Sequence, residues 1–257
     1  DYFSMVAIRN AMRIVAPEEY IDTYAVGGVD LAETTDLCNA TAQILTGEKF
    51  IYLQAYFIAE DRLARNSERD KQDYQRMTNL ATGDRVTSEV VIVTPGSYVR
   101  KEYVTAWFTL LREEYKISFL KIGYDRALSK EWLTDMQEHG FSHEKVHRDG
   151  ETGSITRDLG VLTEVAQGGW TLSEPIKVIK SLFESGKIVA DVRNKLFAYC
   201  FYNLKIRQDV NNNLSPHKAK STGHIDGAVG VFNAFVAYQR AKEMPLYANR
   251  IGQLFRI

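Results

Sequence analysis

The chain has 257 residues, 45% of them hydrophobic and 25% charged, which is the composition of a globular protein and excludes collagen-like, disordered and disulfide-scaffold classes. Its 32 basic and 33 acidic residues leave a formal charge of -1, so a strongly basic global balance is excluded while a local basic groove is not. No run approaches the ~20 apolar residues of a membrane span, and Cys38 and Cys200 have neither CxxC nor metal-like spacing, which fits a reduced intracellular compartment.

The chain opens on Asp1 with no signal-peptide pattern, as a fragment of a longer protein would. Residues 5–14 have the pattern of a helix, stopped near Pro17. Residues 24–31 (YAVGGVDL) form a short apolar run that reads as a strand ending on a carboxylate, Asp30. Residues 39–46 and 50–58 read as two more strands joined by Gly47-Glu-Lys, an antiparallel meander. Residues 60–82 are densely charged and read as a solvated helix or excursion. Residues 90–94 (VVIVT) are a β-branched strand followed by the turn Pro95-Gly96. Val104, Trp107, Phe108, Leu111 and Tyr115 give 100–115 helical spacing. The strand 117–124 again ends on an aspartate, Asp125. A helix over 128–139 and a short strand near 143–147 follow.

The Gly- and polar-rich segment 148–172 is expected to contain a mobile loop. Residues 173–185 read as a helix with Pro175 in its first turn, where proline is tolerated, closed by Gly186. A strand at 187–190, a helix at 192–203, a strand-like run at 205–210, a turn at Asn211-Asn-Asn and a helix from about 225 to 240 complete the chain. Strands alternating with helices predict an α/β fold, with parallel strands after the initial meander.

Three acids stand at element ends: Asp30 and Asp125 after strands, and Asp226 at the head of the last helix. Strand C-termini share one edge of an α/β sheet, and ligands bind at that edge. A cluster of carboxylates is self-repulsive and becomes useful when hard divalent cations sit among its oxygens. Two such ions stabilise the attacking and leaving oxygens of phosphodiester cleavage. Taken singly, each aspartate reads equally as an N-cap or a turn former.

In the last helix Ile225, Ala228, Val229, Phe232, Phe235 and Val236 form an apolar stripe, with Asp226, Gly230 and Asn233 on an adjacent one. Gly230 serves either close packing or substrate approach. Arg126 and Lys130 flank Asp125, Lys205, Arg207, Lys218 and Lys220 precede the last helix, and Arg193 and Lys195 stand near the start of the helix before it, either a phosphate-contacting rim or an ordinary salt-bridged surface. His143 and His147 alternate on a short strand but have no third metal partner.

Five blocks together resemble the nuclease domain of the large terminase subunit of tailed double-stranded DNA phages. They are Gly28-Val-Asp-Leu-Ala-Glu-Thr-Thr-Asp-Leu37, Val93-Thr-Pro-Gly-Ser-Tyr98, Ile122-Gly-Tyr-Asp-Arg126, Gln167-Gly-Gly-Trp-Thr-Leu-Ser-Glu-Pro-Ile-Lys177 and Pro216-His-Lys-Ala-Lys-Ser-Thr-Gly-His-Ile-Asp-Gly227. The resemblance runs over roughly residues 24–240 and rests on the order and spacing of the blocks. It implies a ribonuclease H-like mixed sheet and a metal-dependent endonuclease that cuts concatemeric phage DNA during genome packaging. It maps the acidic site onto Asp30, Asp125 and Asp226, with Asp36 either an auxiliary ligand or a residue that holds the first turn.

The resemblance implies two Mg²⁺ or Mn²⁺ ions and double-stranded DNA as substrate. It implies an ATPase motor ahead of this chain, the small terminase subunit and the portal protein as partners, no membrane, and action in the cytoplasm of the infected host cell. Residues 1–24 are then the connector from that motor and 25–257 the nuclease domain. No GxxxxGK[ST] phosphate loop is present, so the chain is expected to cut DNA but not to pump it. The chain departs from the family at His224, where Lys or Arg usually precedes Ile-Asp-Gly, at Ala127, where Trp is common, and at Glu33, where a small hydroxyl residue is usual. His224 is either a DNA contact or proton shuttle, or a surface histidine without a role.

Three other readings stay open. Gly28-Val-Asp-Leu-Ala-Glu-Thr-Thr also resembles the phosphate-binding turn of the sugar-kinase and heat-shock ATPase superfamily, although no second copy is found. A non-catalytic packaging module that docks on the portal would use the acids as caps. A junction resolvase or integrase of the same fold would prefer branched DNA.

Overall fold

The computed structural model describes residues 2–244, apart from 33–36, 48, 79–89, 128, 158 and 222. Asp36 and Glu33 therefore lie outside the described residues.

The sequence opens with α1 (Met5–Ala11), whose Ser4 hydroxyl caps the Ala7 amide at 3.3 Å, and the two-residue strand β1 (Met12–Arg13). The meander follows as β2 (Tyr24–Asp30), β3 (Cys38–Thr46) and β4 (Lys49–Ala59), with β3 antiparallel to both neighbours. Then come α2 (Leu63–Asp70), β5 (Val91–Thr94), α3 (Glu102–Glu114), β6 (Ser118–Tyr124) and α4 (Lys130–Glu138). The second half holds β7 (Val146–Arg148), β8 (Ile155–Arg157), β9 (Leu162–Glu164), α5 (Gly169–Glu184), β10 (Ile188–Asp191), α6 (Lys195–Asn203), β11 (Ile206–Gln208), β12 (Leu214–Pro216) and α7 (Asp226–Lys242).

The central sheet runs β1-β10-β4-β3-β2-β6-β9, with β5 pairing the far half of β4. All of its pairings outside the meander are parallel. This is the ribonuclease H-like mixed sheet, and the meander is where the alternation in the sequence puts it. Among the described residues no helix is long and apolar enough to cross a membrane.

Strand alternation sorts side chains onto two faces. Cys38, Ala40, Ala42, Ile51, Leu53, Ala55, Phe57, Val29 and Ile122 pack with Trp107, Phe108 and Leu111 of α3 and Trp132 of α4. The other face is covered by α1, α5, α6 and α7. There α7 crosses β2, β3 and β6.

Several sequence readings change. Segment 148–172 is not only loop: it carries the β7–β8 hairpin, the sheet strand β9 and the start of α5. A three-residue strand is too short to show periodicity. Helix α5 begins at Gly169 rather than 173, so Pro175 lies inside it and forgoes an intrahelical hydrogen bond. The first helix stops at Ala11, because Met12 and Arg13 pair with Ala190 and Asp191. Tertiary pairing there overrides local helical pattern.

Candidate active site

Two of the three acids stand at neighbouring strand ends, and the third heads the helix that crosses those strands. Asp30 closes β2, and Asp125 follows β6, its parallel neighbour, whose last residue Tyr124 lies beside Val29. Gly28 and Gly123, two residues before each acid, face α7: an added Cβ would fall 2.0 Å from the Gly230 carbonyl oxygen at Gly28 and 2.4 Å from the Asn233 carbonyl oxygen at Gly123. Alternation of two within β2 turns Asp30 to the side of Gly28, toward α7, while Asp125 is the first residue past β6. Asp226 is the first residue of α7, where the helix dipole favours a negative charge. Asp30 and Asp226 are buried and Asp125 half-buried.

Cys38 links two of the acids. Cys38 lies within electrostatic reach of Asp30 and Asp226: burial pushes its thiol up to about 12, and both carboxylate charges add to the push. The Cys38 sulfur also accepts from the Ala32 amide at 3.1 Å and lies 3.3 Å from the Ala32 carbonyl, pinning the chain just past Asp30. Asp125 Oδ1 accepts from the Ala127 amide at 3.2 Å, an Asx turn.

A buried polar ladder seats α7. Thr41 donates to Asn39 Oδ1 at 2.7 Å, Gln54 Nε2 donates to Thr41 at 2.9 Å and to the Gly227 carbonyl at 2.8 Å, and the Tyr56 hydroxyl donates to Gln54 at 2.7 Å. Asn233 Nδ2 donates to the Val29 carbonyl at 2.8 Å, and Gln167 donates to Asn233 Oδ1 at 2.9 Å. Gly230 packs against this ladder, since a Cβ there would fall 2.0 Å from Asn39 Oδ1. Its role is close packing, which resolves the alternative left open by the sequence.

His224 departs from the expectation of a surface histidine. It is buried, with Nδ1 2.9 Å from Asp226 Oδ2 and Nε2 2.9 Å from Asp70 Oδ2. Burial disfavours the imidazolium, yet hydrogen bonds and charge from Asp226 and Asp70 raise His224 to about 10. Asp70 also departs from the solvated reading of its charged segment, its side chain being 7% exposed. Burial pushes the Asp70 carboxyl up, but hydrogen bonds from His224, Arg69 and Tyr74 hold it well below the usual carboxylate range. Neither Asp70 nor the ladder has a motif to announce it. The polar residues alternating with alanine in Asn39-Ala-Thr-Ala-Gln43 are the one signal of a buried polar face.

The basic residues divide. Lys218 is exposed and brings Nζ to 3.9 Å from Asp30 Oδ2. Arg126 and Lys130 are exposed beside Asp125, and Lys195 and Lys220 are exposed as well. Lys205 and Arg207 belong to the β11–β12 hairpin region, with Arg207 donating to Ser215 at 3.4 Å. Arg193 is engaged elsewhere, forked onto Asp191 at 2.6 Å and donating to the Val15 carbonyl at 2.7 Å by the β1–β10 edge. Of the two histidines on the possible strand, His143 Nε2 lies 2.6 Å from the Tyr124 hydroxyl, and His147 sits on β7.

Among the described residues, no group of three or more His, Cys, Asp and Glu side chains is gathered closely enough to hold a metal ion. The donor chemistry nevertheless suits a hard divalent cation. Two buried carboxylates and a half-buried third offer only oxygen, the donor that hard divalent cations prefer.

Residues 152–243 match the family described as "Terminase large subunit, endonuclease domain". The HK97 bacteriophage large terminase superposes with a TM-score of 0.73 at 17% identity, over 92% of this chain and 43% of that one. The fold is that of a large-terminase nuclease. The large terminase nuclease from thermophilic phage G20c with bound magnesium matches at a TM-score of 0.52 and 11% identity, over 93% of this chain and 97% of that one. A large terminase from another thermophilic bacteriophage matches at 0.52 and 9% identity, over 91% of this chain and 44% of that one. The chain thus spans less than half of these two large terminases, and nearly all of the separate G20c terminase nuclease. No curated protein sequence matches the chain.

Proposed function

We propose that this chain is the nuclease domain of a large terminase subunit, a metal-dependent endonuclease that cuts double-stranded phage DNA concatemers during genome packaging. The observation that carries this reading is that Asp30 and Asp125 stand at the ends of the neighbouring parallel strands β2 and β6, with Asp226 at the head of α7, which crosses them. The match of residues 152–243 to the terminase endonuclease family supports it. Asp30, Asp125 and Asp226 hold two Mg²⁺ or Mn²⁺ ions, with Asp36 as an auxiliary ligand. The bound ions supply an activated water and charge stabilisation at the leaving 3′-oxygen.

The chain's own residues bind and orient the DNA. Lys218, Lys220, Arg126 and Lys130 face backbone phosphates, with Lys195, Lys205 and Arg207 extending that rim. Phosphate contacts carry no base information, so cutting has little sequence specificity and binding weakens with salt. Residues 1–24 serve as the connector from an ATPase motor and 25–257 as the nuclease domain. The small terminase subunit and portal protein are partners, and the site of action is the host cytoplasm. Plasmid cleavage with Mn²⁺ or Mg²⁺ tests the reading, with Asp226→Asn and EDTA beside the wild type. Cutting by wild type alone, abolished by EDTA, is the expected result; cutting that survives both EDTA and Asp226→Asn would sink it.

A further inference from the structure

The charged helix α2 after β4 reaches His224 through Asp70 and Arg69. Asp70, the last residue of α2, accepts from the Tyr74 hydroxyl at 2.9 Å and from Arg69 Nη2 at 3.0 Å. The same Oδ2 oxygen meets His224 Nε2, and Arg69 Nη2 lies 2.8 Å from that nitrogen. Asp70 Oδ2 therefore meets both the guanidinium and the imidazole, which also touch each other. On its far side the imidazole reaches Asp226 Oδ2 through Nδ1. Tyr74 is fully buried, and the Tyr199 hydroxyl donates to the Asp70 carbonyl at 3.4 Å, so the anchor is fixed on two sides.

We propose that Asp70 is a positioning residue for Asp226: through His224 it fixes one carboxylate oxygen of that acid and leaves the other to face the cation. This rests on the metal reading of Asp226 given above. The physical reason is rotational. A carboxylate at a helix start turns about its Cβ–Cγ bond, and a ring held at both nitrogens stops that turn. With Nε2 fixed against Asp70, the ring presents Nδ1 to Asp226 in one orientation. Outer partners that orient a ligand in this way typically change metal affinity by about 10- to 100-fold when removed.

The test is Mn²⁺ binding to the purified chain by calorimetry, with near-ultraviolet circular dichroism to verify folding. Wild type is compared with Asp70→Asn, His224→Gln, the double variant and Asp226→Asn. The expected result is that Asp70→Asn and His224→Gln each weaken Mn²⁺ binding by roughly tenfold, and that the double variant is no weaker than the worse single. In cleavage assays Asp70→Asn should need more Mn²⁺ for half-maximal cutting, with cutting at saturating metal largely recovered. A structural role alone would lower the melting temperature without moving the metal requirement.

Wild-type affinity in a folded Asp70→Asn, with binding lost in Asp226→Asn, would overturn the positioning role and leave the metal reading standing. So would single effects that add fully in the double variant. Wild-type affinity in Asp226→Asn would remove the metal reading and this proposal with it. Should Asp70→Asn fail to fold, His224→Gln decides alone: unchanged Mn²⁺ affinity overturns the positioning role.

Discussion

Both faces of the central sheet bury an apolar core, but only one adds a ladder of buried hydrogen bonds. Toward α3 and α4 the strands present Ala, Val, Ile and Phe against Trp107, Phe108, Leu111 and Trp132, an apolar core that tolerates small shifts. Toward α7 the same strands present Asn39, Thr41, Gln54 and Tyr56, each fixed by a hydrogen bond of defined direction. Apolar burial is non-directional and holds the layers together. Buried hydrogen bonds are directional, and an unmet partner is costly, so they fix where α7 sits. Asp30 and Asp226 lie on the face that carries the ladder. Both faces thus hold the fold together through apolar burial, and only the α7 face adds the directional bonds that set the site's geometry.

That division can be broken or sharpened by substitution. The largest effect belongs to Asp30→Asn, which should reduce metal-dependent plasmid cutting by roughly 10³-fold or more while the chemical-denaturation midpoint stays close to wild type. A loss of cutting matched by an equal loss of fold would contradict the division. Leu111→Ala, on the apolar face, should cost about 3 kcal/mol in urea unfolding, yet leave Mn²⁺ affinity unchanged in the folded fraction. Gly230→Ala should cost about 2 kcal/mol, because its new methyl meets Asn39 and Thr41, and should also weaken Mn²⁺ binding by lifting the head of α7. The paired readout separates the faces: stability alone moves in the first, stability and metal together in the second.

A smaller effect is pH-dependent. His224 is raised to about 10 from an ordinary value near 6.5, so its stabilising contribution is complete below about 6.5 and lost as pH rises toward 10. Metal-free wild type should therefore lose stability relative to His224→Gln between pH 7 and 10, measured by urea denaturation at each pH. A parallel pair of curves would exclude a charged imidazole between Asp70 and Asp226. Smallest is Lys218→Ala, which should barely move stability and should lower the salt slope of DNA binding by about one, as for the loss of one phosphate contact.

Much of this architecture is legible in the sequence because its signals are local. Asp30 and Asp125 end apolar runs, and Asp226 opens a long helix rich in apolar residues, so all three are visible without tertiary information. Strand β9 is not, being three residues long and preceded by glycine and polar residues. The ladder is half legible. Alternation in 39–43 gives the correct faces, but polar residues on a strand usually mean solvent, and only α7 lying over them shows burial. Asp70 is least legible, one acid in a run of charges whose partner His224 is 154 residues away. Arg193 errs the other way: it is near a helix start as expected, but Asp191 two residues before it takes the guanidinium.

The contact of Gly28 with Gly230 has a consequence for how this site tolerates change. Backbone rests on backbone there, and either Cβ would fall 2.0 Å from an oxygen atom. Spacing between two elements is ordinarily set by side chains, which can be exchanged in small steps, a methyl at a time. Here the spacer has no thickness left to remove and no smaller residue to substitute. The depth of Asp226 relative to Asp30 is at a hard stop, and mutation can only increase it. Evolution or engineering that needed wider acid spacing has many routes through these two glycines; one that needed it narrower would have to rebuild the sheet.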